Sequence, residues 1–418
     1  YLFSENINYP VFLFMSIIVA LFIGLTVSAE EIFRDRKILE REKFLNLSRL
    51  SYLFSKINFL FALSAIQTLS FVIVANSILE VRGMLFRHWL ILFSTACFGN
   101  LLGLNISAGM RTAVSIYILI PLLLVPQLLL GGAMIKFDEL PRYLSRKIYV
   151  PVIGDVMATR WAYESICVEQ FKSNRFERPY FDLEMEKSQF DWYSSFLIPT
   201  LKVKVNQCIR AGKNPDYREQ CEINLAKLNY HIDELSQLAG IEPGNWRKSM
   251  DYKTFNEIAG DDAKLYLDSL NSYFRLLSKK KSDSRDSIIR IKESVIGKEG
   301  FLKLRERDYN ERLADHVLNR LATSKIYDSD YLDRLIQKAD PIFMKPGSRY
   351  GRAHFFAPYK QIGNIKISTL IFNTVIIWLM TIFLFITLYY NLLKRFIVFL
   401  ETWKIPIWRK FGREMLRM

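Results

Sequence analysis

An all-α membrane protein is the fold class this sequence predicts, and three observations predict it. Five runs contain no Asp, Glu, Lys or Arg: Asn6–Ala29, Ile57–Leu79, Trp89–Met110, Thr112–Ile135 and Ile367–Leu393, of 24, 23, 22, 24 and 27 residues. A hydrocarbon core about 30 Å thick needs about 20 apolar residues as helix, so each run is long enough to cross, and a soluble domain of this size cannot house five. Between the fourth and fifth runs, apolar residues recur at helical spacing: Ile223, Leu228, Ile232 and Leu235; Leu267, Leu270, Phe274 and Leu277; Leu313, Val317 and Leu321. Finally, the net charge of +15 gathers beside the runs. There it sets orientation and meets anionic headgroups, and no nucleic-acid motif accompanies it.

The chain opens at Tyr1 with neither an initiator Met nor a signal-peptide pattern, a few residues before the first run. This leads us to expect at least one earlier span, with a cytoplasmic part before it. The loop Glu30–Lys56 and the tail 394–418 are both Lys- and Arg-rich, which places both in the cytoplasm. Four spans separate them, so parity agrees. The bundle is expected over 6–166, with a charged cytoplasmic helix at about 30–50 and a last span at 367–393. The stretch around 140–166 is too short and too charged to span and reads as a re-entrant hairpin. A helical extracytoplasmic domain is expected over 167–359, with Gly240 and Pro243 punctuating its first helix pair and Lys279–Lys281 ending the second.

Four cysteines are present. Cys97 lies inside a span and Cys167 near the membrane exit. Cys208 and Cys221 flank the turn-rich AGKNPDY, so they are either a disulfide stapling a helical hairpin on an oxidising side or two reduced, buried thiols. Phosphate-cradling, serine-hydrolase and metalloprotease motifs are absent, and four scattered histidines predict no metal site. No catalytic residue is expected. The spans carry no carboxylate or cation, which argues against an ion-coupled carrier. If this chain moves something, the energy arrives from another component.

The most informative segment is Ala29–Lys56, in which Glu30, Glu31, Arg34, Glu40, Arg41 and Glu42 alternate in sign directly after a span. On charge pattern alone this is a solvated surface helix. Its neighbours add to that reading: a span before it, an aromatic helix start after it, a Pro- and Gly-broken span, a hairpin, an outer insertion and a last span. With Leu39-Glu40-Arg41-Glu42, Ser51-Tyr52-Leu53, Gly131-Gly132, and Pro151 through Arg160-Trp161-Ala162-Tyr163-Glu164, this order resembles the membrane half of the G subfamily of ATP-binding cassette exporters, the ABC-2 or type V family. The likeness covers Asn6–Gln170 and Ile367–Leu393.

The resemblance implies a coupling helix that touches an ATPase domain, with Glu31, Arg34, Arg41 and Glu42 carrying the coupling. It implies six spans per half, two halves pairing (expected as a homodimer), and a substrate cavity that Phe12, Phe14, Phe22, Tyr117 and Leu124 could line, although core packing or a lipid-facing position is the favoured role for any single one of them. It also implies a gate at Gly131, Gly132, Ala133 and Met134, with ordinary helix packing as the alternative. ATP and Mg belong on the ATPase, which this sequence lacks, and the outer insertion is far longer than the family's short loop. The expected function is the permease part of an ATP-driven exporter of an amphipathic or lipid-like substrate, in an inner or plasma membrane. The alternative is a mechanotransmitter whose outer domain acts on an extracytoplasmic partner. A receptor without an ATPase leaves the charged helix unexplained.

Overall fold

The computed structural model describes residues 2–42, 48–137, 140–141, 148–212, 214–329 and 331–402. Its described residues are mostly helical with very little strand, and the chain is an integral membrane protein. Among the described residues four helices are long and apolar enough to cross: α1 (Tyr9–Ser28), α3 (Arg49–Ile78), α4 (Leu85–Gly109) and α13 (Thr369–Tyr389). Between α1 and α3 runs the charged helix α2 (Glu31–Glu42). The fourth charge-free run yields a shorter helix, α5 (Ala113–Leu129), of 17 residues. At 1.5 Å per residue it is about 25 Å long, short of a full crossing. Pro121 and Pro126 lie within it, and the chain leaves helical geometry at Leu130, just before Gly131 and Gly132.

Helix α4 is the hub, packed on by α1, α3 and α13. The sequence explains why. Gly99 and Gly103 face α1 so closely that a Cβ on Gly99 would stand 2.6 Å from the Leu21 carbonyl oxygen, the small-residue approach that packs helices in lipid. Polar side chains fasten the remaining faces. Asn100 Nδ2 donates to Ser64 Oγ at 2.8 Å, Asn105 Nδ2 to the Leu384 carbonyl at 2.9 Å, and Trp378 Nε1 to Ser94 Oγ at 3.1 Å.

After α5 come a single-turn helix α6 (Val152–Asp155) and α7 (Ala158–Lys172), whose residues 158–171 are all buried. α7 runs unbroken through Ile166–Cys167, so the boundary expected at 167 falls inside a helix. Of the expected hairpin, residues 142–147 lie outside the described residues, as do 403–418 of the basic tail. The long insertion then folds as α8 (Phe181–Trp192), α9 (Ile198–Ala211), α10 (Arg218–Ala239), α11 (Glu257–Asp308) and α12 (Glu311–Val317). Cys208, Leu228, Ile232, Leu267, Leu270 and Phe274 meet in its distal core.

Two expectations fail here. α11 continues through Lys279–Lys281, since lysine favours helix and supplies no stop signal. Its helical geometry is broken at Gly297, whose φ of 75° suits a residue without Cβ, and a second helical stretch runs from there to Asp308. Leu321 lies beyond the end of α12 and is exposed. Two small antiparallel ribbons complete the fold: β1 (Ile326–Tyr327) with β2 (Ile336–Gln337), and β3 (Tyr359–Ile362) with β4 (Ile365–Ser368), which feeds directly into α13. α14 (Leu392–Thr402) follows α13.

The insertion does not hang from the bundle by a linker. One buried core holds Phe3, Tyr9, Phe14 and Ile17 of the start of the chain together with Tyr163, Phe171, Leu313, Val317, Phe343 and Phe356.

Candidate functional site

Two ionic clusters flank the bundle, one at each end of α4. The first is built on α2. Glu31 and Asp35 are one turn apart and share a face, as are Tyr52 and Lys56 at the start of α3. The two pairs interlock: Lys56 Nζ lies 2.8 Å from both Glu31 Oε2 and Asp35 Oδ2, and the Tyr52 hydroxyl donates to Asp35 at 2.9 Å. The opening turn of a helix leaves N–H groups without intrahelical partners. Here Phe33 N donates to Ser107 Oγ of α4 at 2.9 Å, and Arg36 donates to the Met110 carbonyl at 2.7 Å. The Tyr117 hydroxyl of α5 donates to Glu30. α2 and the preceding Glu30 are therefore fastened to three helices, α3 and α4 through the inner face of α2 and α5 through Glu30. Its outer face carries Arg34, with a side chain 68% exposed, and the exposed Arg41.

Of the four residues singled out for coupling, then, Glu31 faces inward and Arg34 and Arg41 face outward. The side chain of Glu42 lies outside the described residues. Sequence reasoning missed Asp35, Tyr52 and Lys56. The available signal was the pair of four-residue spacings, acidic on one helix and hydroxyl-plus-cation on the next.

The second cluster sits on α7. Lys360 Nζ of β3 donates to Glu164 Oε1 at 2.5 Å, Asn373 Nδ2 of α13 donates to Glu164 Oε2 at 2.9 Å, and Arg160 approaches the same carboxylate at 3.6 Å and Asp155 at 3.3 Å. Arg160 also stacks over the Trp161 ring, 3.8 Å from its centroid. Burial raises the Glu164 carboxyl, but Lys360 and then Arg160 outweigh it and hold the group below its ordinary value. Burial, with the Arg160 charge adding to it, lowers Lys360 despite the neighbouring Glu164 carboxylate. Nearby, Arg87 at the start of α4 pairs with Glu169 at 2.8 Å.

The five expected cavity residues do not line one space. Phe14 is buried edge-on against Tyr163, with ring centroids 5.2 Å apart. Phe12 stacks on Tyr9, and Leu124 packs against the same core. Only Phe22 and Tyr117 are exposed. What α1 and α5 do present is an uncovered apolar stripe each, Val11, Met15, Val19 and Phe22 on one, Val114, Ile118, Leu122 and Val125 on the other.

The expected gate residues have close neighbours within the chain. A Cβ on Gly131 would lie 2.8 Å from the Phe14 ring. Gly132, at φ +86°, fits between Phe355 and Phe137, where a Cβ would lie 2.6 and 2.8 Å from the two rings. Both conformation and space require glycine there. Ala133 is half-buried and Met134 exposed. Cys208 and Cys221 come together in the distal core as free thiols, with Cys208 Sγ 3.7 Å from the Cys221 carbonyl oxygen. The structure thus brings the pair together without a bridge.

Residues 1–165 match the family model of the ABC-2 type transporter. No curated protein and no solved structure matches the chain.

Proposed function

We propose that this chain, a permease component of an ABC transporter by virtue of its ABC-2 membrane domain at residues 1–165, receives ATP-driven work through α2. On this reading it exports an amphipathic or lipid-like substrate as one of two paired halves. ABC-2 membrane domains partner with nucleotide-binding ATPase components, and the two-faced construction of α2 is the observation that supports the rest. A helix that only decorated the surface would need no inward clamp. One built to transmit force needs attachment to several spans and an exposed face for the motor. Glu31, Asp35, Tyr52 and Lys56 supply the attachment. Arg34 and Arg41 supply the exposed face, suited to carboxylates on an ATPase. ATP and Mg would bind on that component. The uncovered stripes of α1 and α5 are where a second half and an apolar substrate would meet.

The test is Lys56→Met in the complete transporter, reconstituted in lipid discs with its ATPase. Loss of substrate-stimulated hydrolysis with basal hydrolysis retained is the expected result. Stimulation equal to the parent would remove α2 from the coupling path.

A second reading is favoured by the shared core of the bundle and insertion: ATP-driven span movement displaces the 173–368 segment to act on a partner, with nothing crossing. Fluorescent labels on α10 and on α3 would distinguish the two. ATP-dependent movement between them, without translocation of a labelled lipid, supports the mechanical reading over export.

A further inference from the structure

At the α2 end of the bundle, Ile32, Leu53 and Leu388 form the floor of a cavity of about 300 Å³, and its rim carries Arg36, Arg49 and Lys394, one from each of α2, α3 and α14. Each arginine uses one N–H on a backbone carbonyl, Arg36 on Met110 at 2.7 Å and Arg49 on Leu388 at 3.0 Å. Those bonds hold the guanidinium groups in place and leave further donors on each. Lys394 is exposed. Among the described residues no carboxylate pairs with any of the three cations. Asp35, adjacent to Arg36 in sequence, is already held by Lys56 and Tyr52. Tyr52 is the other titratable lining group, and its hydroxyl is committed to Asp35.

Three cations with no carboxylate partner among the described residues, around an apolar floor at the ends of membrane-crossing helices, match one chemistry. An anionic glycerophospholipid brings a phosphate for the guanidinium forks and acyl chains for the aliphatic floor. Soluble phosphate offers the charge but nothing for Ile32, Leu53 and Leu388. The neighbouring α14 continues the same surface, with Leu392 and Phe396 exposed beside Lys394 and Arg395, the pattern of a helix lying in the headgroup region. We propose that this cavity is a binding site for one anionic phospholipid per chain, its phosphate on Arg36, Arg49 and Lys394. So placed, the lipid ties α2 to α3 and to the end of α13. The site needs only the membrane placement of the chain, so it stands or falls separately from the coupling role of α2.

The experiment is native mass spectrometry of the complete transporter in neutral detergent, titrated with phosphatidylglycerol, with phosphatidylcholine and with inorganic phosphate. One phosphatidylglycerol adduct per chain is expected, retained against phosphatidylcholine and not displaced by phosphate. Lys394→Gln should weaken retention about fivefold, and Arg36→Gln with Arg49→Gln and Lys394→Gln about 100-fold, from the attraction of each cation near a charged lipid surface. If the triple variant does not fold, the exposed Lys394→Gln decides alone. Undiminished adducts in these variants would overturn the site. So would displacement by inorganic phosphate, which would make it a simple anion site, or variants that keep the lipid but lose the ATPase, which would make the rim a protein contact.

Discussion

A lysine grips carboxylate at each end of α4, and the two grips differ in how much water reaches them. Lys56 holds Glu31 and Asp35 with side chains 22–26% exposed. Lys360 holds Glu164 with both side chains at most 1% exposed. Charges that water can reach re-form cheaply after separation, whereas separating a buried pair strands an uncompensated charge. The same chemistry therefore gives a joint at the α2 end and a weld at the α7 end. A chain that must flex where work enters, yet hold its insertion rigidly, would place them this way round.

The sharpest way to break this comparison is Lys360→Met, which leaves Glu164 facing Arg160 and Asn373 without its ammonium. A loss of about 3–5 kcal/mol of stability is expected, read as a lowered unfolding temperature in detergent. A loss no greater than that from Lys56→Met would erase the distinction. Next in size is a pH effect confined to the buried end. His316 shares a hydrogen bond with Tyr163 at 2.9 Å, and His354 bonds the Pro341 carbonyl at 2.7 Å. Burial pushes both down to about 4. Folded-state values below the unfolded 6.5 mean that the folded protein refuses protons the unfolded chain accepts. Their stabilising contribution is full above pH 6.5 and is lost as pH falls toward 4, at about 2 kcal/mol per histidine by pH 5. Unfolding temperature should drop between pH 7 and 5, and His316→Gln should flatten that slope; an unaltered slope would show that His316 does not cause it. Smallest is Arg34→Ala with Arg41→Ala, expected to change stability by no more than about 0.5 kcal/mol because the outer face of α2 is solvated. Substantial unfolding would mean that this face is already occupied within the chain.

Much of the bundle was legible because a run of about 20 residues without a single charge suits lipid and little else. α2 was legible from its sign alternation, and the helices of the insertion from period. The inward clamp was not, because Lys56 finds Glu31 and Asp35 only once α2 folds back on α3, and single helices record spacing but not partners. Lys360 reads as an ordinary exposed loop cation until β3 delivers it to α7. Phe14 leaves two readings open in the sequence, because aromatics in spans suit both pores and cores, and its core packing depends on Tyr163, far along the chain. The length of α5 was misjudged for another reason. Composition marks where a helix is permitted, while Gly131 and Gly132 decide where it ends.

The shared core also bears on biosynthesis. Asn310 Nδ2 donates to the Phe3 carbonyl at 2.7 Å across 307 positions, and Lys360 reaches Glu164 across 196. A ribosome finishes α1 long before it makes the residues that cover Phe3, Tyr9 and Phe14, so the nascent amino-terminal helices must wait half-dressed in the bilayer. Such long-range closure is slow and leaves oily surface exposed meanwhile. Amputating the insertion to simplify the molecule would make that transient condition permanent.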